Sequence, residues 1–129
     1  MTSPGNIVVD RPHPRVRVVR FLRPDLRNAL YDAEPITEAA LYQEIRKGAV
    51  LSELTPDDSV VLNLGLVEWL PSMFFRLLME MRAEIARRNA RLFLCGLQPS
   101  VKEVFELMGG NRLFEIRTSE QRAITDGAT

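Results

Sequence analysis

Ser72, His13 and Cys95 are the natural candidates for a nucleophile or a base in this 129-residue sequence. A hydrolase needs a nucleophile, a base and a third group that orients the base. His13 is the sole histidine and stands between Pro12 and Pro14, the setting of an exposed turn residue rather than a base. There is no Gly-x-Ser-x-Gly elbow, no glycine-rich phosphate loop with a lysine, and no dinucleotide-binding fingerprint. One cysteine and one histidine exclude a Cys/His zinc site and an intrachain disulfide. No catalytic, cofactor-binding or metal-ligating residue is expected, and the chain reads as a non-enzyme. Cys95, at the end of an apolar run, reads as a small buried hydrophobe. Ser72 stays open to two roles. As the first residue of a helix its hydroxyl caps an unpaired backbone N–H, contributing about 1 kcal/mol. As a phosphoacceptor it brings about −1.5 to −2 charges to the positive end of the helix dipole.

The elements that position these residues alternate. Ile7 to Val9 reads as a short edge strand ended by a Pro12-His13-Pro14 turn, and Arg15 to Leu22 as the first firm strand, so that the two form a hairpin. Arg23 to Glu34 reads as a loop with weak helical character. Residues 11–27 hold six arginines against Asp25 alone, and a solvated strand edge is preferred there over an anion site. Pro35 opens a helix in which Ile36, Ala40, Leu41 and Ile45 recur at helical spacing as an apolar stripe, with Gly48 as its stop. After a turn at Thr55-Pro56-Asp57-Asp58, Ser59 to Leu64 is nearly continuous in apolar residues, as in a strand covered on both faces. Pro71 and Ser72 open the longest helix, reaching about Asn89. Its core stripe is Phe74, Leu77, Leu78, Met81 and Ile85, and its wet side Arg82, Glu84, Arg87 and Arg88. Met73, Phe75 and Met79 lie outside the stripe; they mark either a broadened core contact, the preferred reading, or a second apolar patch. Arg91 to Cys95 is the next strand, which completes a crossover and favours a parallel pair. Pro99 starts a third helix with Val101, Val104, Phe105 and Met108 inward and Gly109-Gly110 as its stop. Leu113 to Ile116 is a last strand, and Thr118 with Gln121 has capping-box spacing for a terminal helix ending near Thr125.

Seventeen basic residues balance seventeen acidic ones, which speaks against a dedicated nucleic-acid binder and a polybasic membrane anchor. No apolar run approaches the roughly 20 residues of a spanning helix, and no secretory h-region stands at the start, so a cytoplasmic location is expected. At this length one α/β domain is expected over residues 1–129, with a core from about 15 to 125 and residues 1–14 as an extension or edge strand. A phosphoreceiver domain has similar length and alternation. It needs an acidic pair and a phosphoacceptor Asp at a strand end, and this chain has Asn63 there and Phe21-Leu22-Arg23 after the first strand.

The run Val60-Val61-Leu62-Asn63-Leu64-Gly65-Leu66-Val67-Glu68-Trp69-Leu70-Pro71-Ser72 resembles the centre of the STAS domain, the fold of bacterial anti-sigma-factor antagonists. That family has a strand of the type VVLDLS, a short link, then Asp-Ser-Ser-Gly-Leu-Gly opening a helix. Ala90 to Leu97 is similar to its glycine-arginine-leucine strand, Ser100 to Leu107 to its penultimate helix, and Leu113 to Ile124 to its closing strand and helix. The resemblance spans about Val16 to Ile124 and implies a mixed sheet of four or five strands with helices mainly on one face. It implies a partner-switching regulator that binds an anti-sigma factor, often a serine kinase of the histidine-kinase-like ATPase type, with a PP2C-type phosphatase as counterpart and a homodimer as a further state. The phosphorylatable serine falls on Ser72, and the contact surface on Glu68, Trp69, Pro71, Met73, Phe75, Arg76 and Met79. The motif differs here: its Asp is Pro71, its second Ser is Met73, and its glycines are Phe74 and Arg76. A STAS-type scaffold or oligomerisation module that is never phosphorylated is the alternative.

Overall fold

A computed structural model describes residues 7–22, 38–68 and 72–129, the side chains of Glu38, Ser72 and Met73 apart. The expected loop at Arg23 to Glu34, the helix start at Pro35 and Ile36, and the residues Trp69, Leu70 and Pro71 lie outside the described residues. One five-stranded sheet runs in chain order: β1 (Ile7–His13), β2 (Val16–Phe21), β3 (Ser59–Asn63), β4 (Arg91–Cys95) and β5 (Glu115–Arg117). β1 and β2 form an antiparallel hairpin, and each later neighbour is parallel. The edge strand is longer than expected. It passes through Pro12 because an outer edge requires no N–H donor there, and the register shifts between Asp10 and His13. His13 serves the hairpin turn, its Nδ1 accepting the Arg15 N–H at 3.1 Å.

Period-two alternation sorts the strand residues between two cores. Val19, Phe21, Val60, Leu62, Leu92 and Leu94 face α1 (Glu38–Gly48), α2 (Ser72–Arg87) and α3 (Pro99–Leu107). Val16, Val18, Val61, Phe93 and Cys95 face the terminal helix α5 (Glu120–Gly127) through Ala123. Coverage on both sides explains why β3 reads as a continuous apolar run. The expected α2 stripe is buried in full at Phe74, Leu77, Leu78, Met81 and Ile85. Phe75 joins it, meeting Phe105 at 5.2 Å and Phe114 at 5.9 Å in edge-to-face contacts, so the stripe is broadened.

Five expectations are corrected. Ala40 is exposed, because α1 turns only Leu41 and Ile45 inward. Glu84 is buried on the expected wet side, because α1 brings it a hydroxyl and a guanidinium: Tyr42 Oη donates at 2.5 Å and Arg46 Nε at 2.9 Å. Val104 and Met108 are exposed, since the nine-residue α3 touches the core through Val101 and Phe105 alone. The segment Leu113 to Ile116 is split. Gly109, at φ 78°, ends α3 and a one-turn helix α4 (Gly110–Leu113) precedes β5. A Cβ on Gly110 would lie 2.0 Å from the Phe105 ring, so only glycine fits there without repacking. Finally, the cap of α5 is Ser119, whose Oγ accepts the Arg122 N–H, and the helix runs to Gly127.

Candidate functional site

The last register of the parallel strands β2, β3 and β4 sets Arg20, Asn63 and Cys95 side by side. Chain leaving β3 here must cross to the head of α2, and its first turn is fixed from several sides. Asn63 Oδ1 accepts the Gly65 N–H at 2.8 Å, the local bond that short polar side chains make in turns. Gln98 Nε2 donates to the Gly65 carbonyl at 2.8 Å. The Leu64 N–H reaches the Cys95 carbonyl at 3.0 Å, and the Val67 N–H closes back on Leu64 at 2.9 Å. Two glycines permit this approach: a Cβ on Gly96, itself at φ 73°, would lie 3.2 Å from both the Cα and N of Gly65. Beyond the turn, Ser100 Oγ donates to the Glu68 carbonyl at 3.2 Å and ties the first turn of α3 to the link.

Behind Asn63 stands a charged pair. Arg20 grips Glu120 with two bonds of 2.8 and 2.9 Å, and Asn63 Nδ2 donates to the same carboxylate at 2.9 Å. The bond from Arg20 holds the Glu120 carboxyl below its usual range, aided by Asn63 and opposed by partial burial. Asn63 therefore spends both ends of its amide, one on the link and one on α5. Arg20, Phe21, Asn63, Gly65 and Leu66 line an open depression of about 220 Å³. Cys95 is fully buried, and burial pushes its thiol up to about 12, so it offers no nucleophile.

The expected site residues fall into three groups. Glu68 and Arg76 are exposed, and Met79 is half-buried against the core. Phe75 is a correction: at 9% exposure it belongs to the aromatic cluster and leaves the contact surface. Trp69, Pro71 and the side chain of Met73 lie outside the described residues, as does the side chain of Ser72; the backbone of Ser72 is the first residue of α2. Phe74, which stands where the resembled motif has a glycine, turns into the core and meets Phe21 edge-to-face at 5.4 Å. Sequence reasoning missed Leu66, Gln98 and Glu120. The Asn-x-Gly spacing was a local signal for the turn, but nothing local marked the residues that complete it.

The geometry separates Ser72 from His13. His13 adjoins the N-terminal end of β2, paired with Val16, while Ser72 heads a helix whose other end leads into the N-terminal end of β4. The sixteen residues of α2 span about 24 Å, which no serine–histidine proton transfer bridges. Among the described residues no group of three or more His, Cys, Asp or Glu side chains could hold a metal ion. No described helix is long and apolar enough to cross a membrane. What this end of the sheet offers is a pinned, exposed turn beside the start of a helix, suited to contact with another macromolecule.

Comparison with known proteins identifies the family. The STAS domain family matches residues 13–123. BtrV of Bordetella bronchiseptica, named as a candidate anti-sigma factor antagonist, is 30% identical over 86 residues, which are 67% of each chain. An anti-sigma-factor antagonist (STAS) domain protein from Planctomyces limnophilus has the same fold at TM-score 0.73 and 18% identity, over 97% of this chain and 100% of that one. An anti-sigma factor antagonist from Mycobacterium paratuberculosis superposes at TM-score 0.72 and 22% identity, over 95% and 93% of the two chains. On its strand order, its covered β3 and the extent of the family match, this chain belongs to the STAS domain family.

Proposed function

We propose that this chain is an anti-sigma factor antagonist of the bacterial cytoplasm, a binding protein that captures an anti-sigma factor and so frees a sigma factor. The observation that carries the reading is the link from Leu64 to Glu68, fixed by Asn63, Gln98 and Ser100 and delivered to the head of α2 at Ser72. A surface held rigid before contact loses less conformational entropy on binding. The names of BtrV and of the structural relatives support the same class. In this reading the contact surface is Glu68, Trp69, Pro71, Met73, Arg76 and Met79. Ser72 is the phosphoacceptor for a histidine-kinase-like anti-sigma factor, and a PP2C-type phosphatase reverses the mark. Phosphate at Ser72 turns binding off through its bulk and the hydration of its charge at the contact. Phe74 raises no steric objection, because its ring is spent on Phe21.

The test uses the purified chain and the kinase-like anti-sigma factors encoded near its gene. Titration calorimetry is expected to show one-to-one binding. Incubation with the binding kinase and Mg-ATP is expected to add one phosphate to the wild type and none to Ser72→Ala, with loss of binding only in the former. Absence of binding to every such factor overturns the reading. The departures at Pro71, Met73 and Arg76 favour one other reading, a STAS scaffold that binds without being phosphorylated. Binding with no Ser72-dependent mass gain selects it.

A further inference from the structure

The terminal helix α5 is fastened to the sheet at both ends. At its C-terminal end, Ser59 Oγ donates to the Gly127 carbonyl at 3.0 Å, the Arg91 guanidinium donates to the Asp126 carbonyl at 3.2 Å, and Arg117 Nε donates to the Asp126 carboxylate at 2.6 Å. In the middle, Ala123 is fully buried in the second core. Glu120, the first residue of the helix, makes a different attachment. Its Oε1 accepts both Arg20 Nε at 2.8 Å and Asn63 Nδ2 at 2.9 Å, at the exits of β2 and β3.

An asparagine amide accepts at one end and donates at the other, and turning the planar group over exchanges the two ends. An ionised carboxylate only accepts, so Glu120 takes the Nδ2 end and leaves Oδ1 for the Gly65 N–H at 2.8 Å. Turned over, the amide would set its own NH2 against the Gly65 N–H, donor against donor. Gln98 holds the Gly65 carbonyl, which leaves the N–H side of the turn to Asn63. The orientation that closes the turn is thus selected by a residue 57 positions away on another element.

We infer that Glu120 is a positioning residue for the partner-binding link: it orients the Asn63 amide, and through it the turn at Gly65, so that α5 sets the order of a surface to which it does not belong. The partner is the anti-sigma factor of the proposed function, on which this inference rests; the coupling itself rests on the geometry. A link that is loose before contact must be ordered at contact, and that cost falls on the affinity.

Two measurements test this: hydrogen exchange at the Gly65 amide of the free chain, and binding of the anti-sigma factor that captures the wild type. The variants are Glu120→Ala, Glu120→Gln, Asn63→Ala, the double variant Asn63→Ala with Glu120→Ala, and Asp126→Ala, with thermal melts of each. Glu120→Ala is expected to speed Gly65 exchange about tenfold and to weaken binding about fivefold. In Glu120→Gln an amide oxygen can take the place of Oε1, and both readouts are expected to stay within about twofold of wild type. Asp126→Ala strips an ion pair from the same helix and is expected to lower the melting temperature while leaving both readouts in place. The double variant is expected to bind as Asn63→Ala does, because Glu120 acts through Asn63. Unchanged Gly65 exchange in Glu120→Ala overturns the inference, as does a Glu120→Gln variant as defective as Glu120→Ala. Equal binding losses in Asp126→Ala and Glu120→Ala, or additive losses in the double variant, also overturn it. No binding by the wild type removes the proposed function instead, and Gly65 exchange, measured without a partner, still decides the positioning role.

Discussion

Replacing Asn63 by Asp tests whether the link is held as described. The introduced carboxyl keeps an oxygen for the Gly65 N–H, but it cannot donate to Glu120, which Asn63 Nδ2 reaches at 2.9 Å. Losing a hydrogen bond to a charged acceptor removes about 1.5–3 kcal/mol. Two carboxylates about 3 Å apart in a half-buried site repel by about 5 kcal/mol before relaxation, at an effective dielectric near 20. Arg20, 2.8 Å from Glu120, neutralises much of that repulsion, and the new side chain can rotate away. The net destabilisation at pH 8 is then about 2–3 kcal/mol, most of it the lost bond. Proximity to Glu120 raises the introduced carboxyl above its unfolded pKa, so the folded state binds the extra proton. Stability of the variant relative to wild type therefore falls as pH rises through that window and recovers as pH drops toward 5. Urea denaturation at pH 5 and pH 8 measures both terms. The double variant Asn63→Asp with Glu120→Gln returns a donor to the pair and is expected to recover part of the loss. A variant within 0.5 kcal/mol of wild type at both pH values, or a deficit that ignores pH, refutes the described role of Asn63.

Glu84→Ala leaves the Tyr42 hydroxyl and the Arg46 guanidinium without their buried acceptor. Because Arg46 is one-third exposed and can reach water, the loss in urea denaturation is expected at about 2 kcal/mol, and Tyr42→Phe at about 1 kcal/mol. Cys95 is expected to ignore Ellman's reagent at pH 8 in the native state and to react stoichiometrically in denaturant; native labelling at the rate of a free thiol contradicts its burial.

The central crossover was legible because its signals are local and strong. Ser59 to Asn63 and Arg91 to Cys95 are apolar runs of strand length, and the α2 stripe keeps helical period over Phe74 to Ile85. Errors arose where a distant partner decides a residue's fate. Glu84 reads as solvated until α1 brings Tyr42 from 42 positions away and Arg46 from 38. Arg17, in a strand that alternates with valines, is buried against Asp58 at 3.4 Å. In α3 the periodicity was right, but a short helix at the end of the sheet needs only two inward residues, which frees Val104 and Met108. The site divides in the same way. Asn63 and Gly65 are neighbours in sequence; Gln98 lies 33 residues from Gly65, and Glu120 57 from Asn63. Periodicity identifies a covered strand end, but not the side chains that hold its exit.

The sign of charge at the contact decides how a phosphate there would act. Glu68, exposed beside the head of α2, has no ion pair among the described residues, so a matching contact on the partner is basic there, and a phosphoserine of about −1.5 to −2 adds attraction rather than repulsion. Arg76, exposed and four residues beyond Ser72, and the positive end of the α2 dipole favour the same charge on the chain itself. Electrostatics alone therefore cannot switch this chain off; the bulk of the phosphate and the cost of stripping its water must exceed that attraction. Ser72→Glu, which brings one charge and a smaller group, is then expected to bind the anti-sigma factor within about threefold of wild type, where the phosphorylated chain does not bind. Calorimetry on the three forms separates the cases. If Ser72→Glu loses binding as fully as the phosphorylated chain, charge is the switch and the basic contact assigned to the partner is wrong.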